Sequence, residues 1–239
     1  MIRELVPALA LLILLGGCQA GPDSGDARPP EPGTGPTGDP PPASRARPTP
    51  EADPVRIVFL GDSLTAGPGL ALEETFPALL EERLQRDGIP AEIVNAGVSG
   101  DTSAGGLRRL DWILRQEPDL LVLELGVNDG LRGQPISGIE QNLRKIVRRA
   151  RKAESRVLLL GLRIPPSYGE EYSRSFRNLY PRIAEDLDVP LVPFLLEGVA
   201  GRPALNRPDG IHPNAAGHRI LADTVEPQLR SMLSLADGS

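Results

Sequence analysis

Five short apolar runs constrain this chain more than any other feature. They read RIVFL (56–60), AEIVNA (91–96), DLLVLEL (119–125), RVLLLGL (156–162) and VPLVPF (189–194). Each is nearly continuous rather than alternating, the pattern of a strand covered on both faces. Helical spacing fills the gaps between them. Leu107, Leu110 and Leu114 mark a helix before the third run. In 137–152, Ile139, Leu143, Ile146, Val147 and Ala150 recur on one face, and Ser137 and Glu140 stand at capping-box spacing. In 172–188, Phe176, Leu179, Tyr180, Ile183 and Leu187 do the same, and Pro181 predicts a kink or a division there. A last helix is predicted from about Asn214 to Leu233, with a break at Pro227. This alternation dictates an α/β fold, a parallel sheet with helices on both faces. No internal repeat is present.

Open parallel sheets build their sites at the carboxyl ends of the strands. Four polar segments fall there: GDSL (61–64), GVSGDT (97–102), GVND (126–129) and, beyond the fifth run, DGIH (209–212). A serine hydroxyl becomes a nucleophile when a base takes its proton, and histidine is the usual base. Of the two histidines, His212 lies three residues after Asp209 among turn formers, so the carboxylate can fold back onto the imidazole and fix its tautomer. His218 lies within a helical pattern and is read as structural or exposed. Ser63, His212 and Asp209 are therefore the candidate catalytic residues. The candidate donors to an oxyanion are the Ser63 N–H, the Gly100 N–H and the Asn128 side-chain amide. Gly126 and Gly130 flank Asn128 and are consistent with an unusual backbone there.

Asp62, Asp101 and Asp129 also follow the first three strands, so a rival reading gathers them around Mg²⁺ for phosphoryl chemistry. It leaves Asp209, His212 and Asn128 without a role, and the aspartates are instead expected to order the loops. A third reading, a catalytically silent lipoprotein scaffold, predicts loss of a triad member, and none is lost. Glu124, a charge inside an apolar strand, is expected to pair with one of the arginines. The run RKIVRRARK (144–152) is expected to be a solvated helix face.

GDSL, SGDTS (99–103), ELGVNDGLRG (124–133) and DGIHPN (209–214), in this order, resemble the SGNH (GDSL) hydrolase superfamily, and within it the bacterial thioesterase I, arylesterase and lysophospholipase L1 group. The likeness covers about 56–230. It implies a flavodoxin-like three-layer α/β/α sandwich with a five-stranded parallel sheet. It also assigns the family's Ser, Gly, Asn and His to Ser63, Gly100, Asn128 and His212, with Asp209 as the triad acid. The implied activity is hydrolysis of acyl esters or thioesters through an acyl-enzyme, without metal or cofactor, on a small acyl-ester or lysophospholipid-like substrate. RIPPSYGEEY (163–172) and GLRG (130–133) are expected to wall the acyl site, and the apolar Ile-Pro-Pro favours a fatty or aromatic acyl group. The alternative is a carbohydrate O-acetyl esterase of the same fold. Thr65 stands where a G-x-S-x-G nucleophile elbow would need its last glycine, so that elbow is not indicated.

The N-terminal part is a different material. Residues 1–18 have the form of a signal peptide, with Arg3, the apolar ALALLILL (8–15) and a small-residue end. Leu15, Gly16 and Gly17 precede Cys18, the one cysteine of the chain, as in a bacterial lipobox. Cys18 is thus the expected lipid attachment, and Gln19 favours the outer membrane, facing the periplasm. Residues 19–54 are rich in Pro, Gly and Ser without an aromatic residue, and are expected to be a disordered tether. The hydrolase domain is expected over 55–235, as a monomer. Without another cysteine it has neither disulfide nor thiolate metal site. The net charge of −6 argues against a nucleic-acid partner.

Overall fold

The computed structural model describes residues 53–234. The expected signal segment, Cys18 and nearly all of the expected tether lie outside the described residues. In chain order the elements are β1 (Val55–Gly61), α1 (Ser63–Ala66), α2 (Phe76–Arg86), β2 (Ala91–Gly97), α3 (Ser103–Leu114), β3 (Leu120–Glu124), α4 (Val127–Leu131), α5 (Ile136–Lys152), β4 (Arg156–Leu160), α6 (Glu170–Arg177), α7 (Leu179–Leu187), β5 (Leu191–Val192) and α8 (Ala215–Ser234). The five strands form one parallel sheet in the order β2-β1-β3-β4-β5. Helix α2 packs on α8, α3 on α5, and α5 on α7, giving helical layers on both sides. All five residues of β3 are buried, as are Ile57 to Leu60 in β1 and Val157 to Leu160 in β4. The continuous apolar runs are thus the centre of the sandwich.

Four expectations about the strands and helices change in the structure. The fifth strand shrinks to two residues because Pro190 and Pro193 bracket it and neither has an N–H for the ladder. The 172–188 helix divides at Asn178, before Pro181 rather than at it. An unbroken helix would set the Pro181 ring against the Arg177 carbonyl, whereas in the first turn of α7 the missing N–H costs nothing. Pro227 does not break α8. It sits on the exposed face beside Asp223, so the freed carbonyl meets water, and Leu221, Val225, Leu229 and Leu233 hold both halves on the core. The capping box at Ser137 and Glu140 is absent. Helix α5 starts at Ile136 behind Pro135, without a side-chain cap, and the Glu140 carboxylate instead meets Arg144 and Arg182 at 2.7 and 2.9 Å.

The arginine run on α5 is more than a solvated face. Arg144 bridges Glu140 and Asp186, Arg149 pairs with Asp111 of α3, and Arg151 reaches the Leu187 carbonyl at the end of α7. These contacts tie α5 to its two helical neighbours. Arg148 and Lys152 remain exposed.

Candidate active site

The sheet order reverses at β1, which has β2 on one side and β3 on the other. Ligands of open α/β sheets bind at such a switch point. Ser63 leaves the end of β1 as the first residue of the one-turn α1. Asp62 caps that turn, its Oδ1 accepting the Leu64 N–H at 2.9 Å. Gly100 lies after β2, and Asn128 follows β3 in α4.

The fourth segment comes from the loop before α8. A single bridge between Asn206 and Pro213 closes it, and the Arg207 N–H donates to the His212 carbonyl at 2.7 Å. Within it, Asp209 Oδ1 accepts the backbone N–H groups of Ile211 and His212, both at 2.9 Å. That leaves Oδ2 facing the imidazole, 3.0 Å from Nδ1. The backbone N–H of His212 is the main cause, with those of Ile211 and the imidazole, that holds the Asp209 carboxyl well below the usual carboxylate range. The other ring nitrogen, Nε2, lies 3.0 Å from Ser63 Oγ. Four segments far apart in sequence thus give a line from carboxylate through imidazole to hydroxyl. With Nδ1 protonated toward Asp209, Nε2 has its lone pair toward the serine hydroxyl.

The expected donors fall into two kinds. The N–H groups of Ser63 and Gly100 have no partner among the described residues. Gly100 has φ +78°, and a side chain there would approach Arg132, whose guanidinium donates to the Gly100 carbonyl at 3.1 Å. The Asn128 amide is already engaged. Its Nδ2 donates to Asp62 Oδ2 and to the Asp101 carbonyl, each at 2.9 Å. Gly126 has φ +116°, as an unusual backbone before Asn128 requires. Gly130 is there for packing, since a Cβ would stand 2.6 Å from the Phe176 ring.

The three aspartates do not gather around a cation. Asp62 is spent on Leu64 and Asn128, Asp101 on Arg109 at 2.8 Å, and Asp129 on the N–H and hydroxyl of Ser103, both at 2.8 Å. Among the described residues no three His, Cys, Asp or Glu side chains converge as a metal site. Burial, the largest influence, pushes the Asp62 carboxyl up to about 6 against the hydrogen bonds that lower it. His218 is structural rather than exposed: Nδ1 accepts the Phe76 N–H at 3.1 Å, and burial holds the imidazole down to about 4.

Two residues enter that sequence reasoning missed or misplaced. Arg109 on α3 donates to Asp101, to the Ala96 carbonyl at 2.6 Å and to the Gly61 carbonyl at 2.9 Å. It joins the ends of β1 and β2 to the Gly100 loop, and nothing in its sequence surroundings marks it out. Glu124 meets no arginine among the described residues; its Oε2 accepts the Asp62 N–H at 3.0 Å and the Thr65 hydroxyl at 2.8 Å.

The model of the GDSL-like lipase/acylhydrolase family matches residues 59–220, a span that holds every residue of this site. The chain belongs to the GDSL-like lipase/acylhydrolase family. It is 43% identical to esterase TesA of Pseudomonas aeruginosa, over 77% of this chain and 92% of that protein. It is 39% identical to the arylesterase of Vibrio mimicus, over 73% and 88%, and 40% identical to thioesterase 1/protease 1/lysophospholipase L1 of Escherichia coli, over 74% and 85%. The crystal structure of TesA aligns with a TM-score of 0.71 at 44% identity, covering 74% of this chain and 98% of that one. The GDSL family fold, the α/β sandwich with its five-stranded parallel sheet, is therefore the fold of this chain.

Proposed function

We propose that this member of the GDSL family is a serine carboxylic-ester hydrolase acting on fatty or aryl acyl esters and thioesters. The observation that carries the reading is the unbroken line from Asp209 Oδ2 through His212 to Ser63 Oγ, with both links at 3.0 Å. His212 takes the Ser63 proton as Oγ attacks the acyl carbonyl, and Asp209 stabilises the imidazolium that forms. The Ser63 and Gly100 N–H groups and the Asn128 amide receive the oxyanion. Asn128 turns to it the hydrogen now given to the neutral Asp101 carbonyl and keeps the one held by the Asp62 carboxylate. Apo sites commonly tighten their catalytic hydrogen bonds only when substrate arrives. The alcohol or thiol leaves with the proton from His212. Water then attacks the acyl-enzyme by the same route. No step calls on a metal or cofactor.

The preference for a fatty or aryl acyl group is supported by a cavity of about 610 Å³. Val127 and Ile211, chain neighbours of Asn128 and His212, line it together with Leu131, Ile164, Pro165, Tyr168 and Phe194. These walls are largely apolar, as an acyl chain requires. Of the stretches expected to wall the site, Arg163 to Pro166, Tyr168 and Leu131 line this cavity; Ser167, Gly169 to Tyr172 and the rest of 130–133 do not. Arg163 covers the Phe194 ring at 4.2 Å.

We also infer a lipid anchor at Cys18, a tether over 19–54 and a hydrolase domain over 55–235, held at the outer membrane and facing the periplasm. The lipobox-like Leu15-Gly16-Gly17-Cys18 supports this. None of the helices among the described residues is long and apolar enough to cross a membrane. A monomer suffices, because one chain supplies every group of the site.

The test is hydrolysis of p-nitrophenyl esters from acetate to palmitate by wild type and Ser63→Ala, with and without EDTA. Ser63→Ala is expected to lower turnover by roughly 10⁴-fold or more. EDTA is expected to change nothing, and the medium and long esters to be preferred over acetate. Equal rates for the two proteins would remove the serine mechanism.

A further inference from the structure

Glu124 ends β3 fully buried, and no cation pairs with it among the described residues. A buried carboxylate in that position should be surrounded by donors. Glu124 is not. Oε2 accepts two hydrogen bonds, from the Asp62 N–H and the Thr65 hydroxyl, but Oε1 is buried without a donor. Beyond those two donors, the group that acts on it most strongly among the described residues is another carboxyl, that of Asp62. Asp62 differs in this respect, because each of its oxygens has a donor, Leu64 N–H on Oδ1 and Asn128 Nδ2 on Oδ2. Two touching carboxyl groups in a dry site cannot both ionise. The donor count assigns the one proton to Glu124 Oε1, which then is itself the donor to the Asp62 carboxylate.

All three Glu124 contacts fall on the turn that carries Ser63. Asp62 N–H and Thr65 hydroxyl lie on either side of it, and the Asp62 carboxylate passes the link on to the Asn128 amide at 2.9 Å. The clamp closes on bare backbone: a Cβ on Gly61 would stand 2.0 Å from Thr65 Oγ1 and 2.7 Å from Glu124 Oε2. We propose that Glu124 is a positioning residue, held as the neutral acid and donating to Asp62, that keeps the Ser63 turn and the Asn128 amide in register. The proposal rests on the serine-hydrolase reading above.

Among the described residues, Tyr180 on α7 faces both carboxyls, with Asp129 of α4 acting on Tyr180, and His212 on the loop before α8 faces Asp62. The Tyr180 hydroxyl is spent on the Leu125 carbonyl at 3.1 Å, so it supplies no hydrogen to Glu124. Burial, and then the charge of Asp62, push the Glu124 carboxyl well above its ordinary range, in agreement with the donor count. Ionisation at alkaline pH would place two anions side by side under the nucleophile and loosen the turn.

Glu124→Gln and Glu124→Leu separate the possibilities. Glutamine keeps an acceptor for Asp62 N–H and Thr65, and its amide donates to Asp62 without a titrating proton. Glu124→Gln should therefore keep kcat within about tenfold of wild type and lose the alkaline fall in kcat. Glu124→Leu should lower kcat by about 10²–10³ with KM little changed, the size of a misplaced oxyanion donor. At neutral pH, the infrared difference between wild type and Glu124→Gln should contain the carbonyl stretch of one protonated carboxyl. Absence of that band, a Glu124→Gln kcat as low as that of Glu124→Leu, or a Glu124→Leu kcat equal to wild type overturns the proposal. Should Glu124→Leu fail to fold, Glu124→Gln and the band decide alone. Failure of the serine reading shows elsewhere, as wild-type activity that survives Ser63→Ala.

Discussion

Replacing Asp209 by Asn tests the triad at the one point where shape can be kept and chemistry reversed. Oδ1 of Asp209 is held by two backbone N–H groups at 2.9 Å, which an Asn oxygen accepts equally well. That fixes the orientation of the new side chain. Its NH₂ then occupies the place of Oδ2, 3.0 Å from His212 Nδ1. A donor facing Nδ1 forces that nitrogen to accept, so the imidazole proton moves to Nε2. Nε2 faces Ser63 Oγ at 3.0 Å and, once protonated, can no longer take the serine proton. A wrong-tautomer lesion of this type costs roughly 10⁴ in kcat, about 5 kcal/mol of transition-state stabilisation. Asp209→Ala should be less harmful. The Asp209 side chain is 39% exposed, so water can reach Nδ1 and leave the productive tautomer available. Initial rates on p-nitrophenyl butyrate, with thermal unfolding to confirm that the loop survives, measure both. A kcat for Asp209→Asn above one tenth of wild type, or an alanine variant worse than the asparagine one, would refute the tautomer argument.

Three further outcomes are expected. Asn128→Ala should lower kcat by about 10²–10³, with a modest loss of stability from the partner taken from Asp62; an unchanged kcat would remove Asn128 from the oxyanion site. Leu131→Trp, which fills part of the 610 Å³ cavity, should reduce kcat/KM for palmitate by at least about tenfold relative to acetate; an unchanged chain-length profile would place the acyl group elsewhere. His218→Gln should flatten the pH dependence of stability. The folded imidazole stays neutral down to about 4, while the unfolded one charges below its ordinary value of about 6.5. The unfolded state therefore binds the extra proton, and wild type loses roughly 3 kcal/mol as pH falls from about 6.5 to about 4. The raised Asp62 acts in the opposite sense, gaining stability as pH falls through about 6, but it is common to both proteins and cancels in the difference. Urea unfolding at pH 7.5 and 4.5 should bring the two proteins apart at the higher pH only in proportion to lost packing, and closer at the lower; parallel shifts would contradict the buried, neutral histidine.

How much of this was legible in the sequence depends on how far each inference had to reach. Burial on both faces writes a strand directly into the residues, so β1, β3 and β4 were visible, and only the prolines around Leu191 shortened what the pattern suggested. Asp209 and His212 are three residues apart, and a turn of that length leaves the carboxylate few places to go. Ser63, Gly100 and Asn128 were legible because each follows a strand, and strand ends share an edge whatever their order. Prolines and arginines misled for a common reason. Whether Pro227 breaks α8, or Arg149 meets Asp111, depends on which face the neighbouring element covers.

Glu124 lies beyond that reach altogether. It matters because Gly61 stands opposite it in the register between β1 and β3. The sequence does not say which strand lies beside β1, and a shift of one residue would turn the Glu124 side chain to the other face of the sheet. Even with the register in hand, charge alone suggests the wrong partner, since a carboxylate among many arginines invites an ion pair. The donor count around each oxygen is what reverses the assignment. Oε1 has none and both Asp62 oxygens have one, so the neutral acid and the anion are distinguished by geometry that only the folded chain possesses.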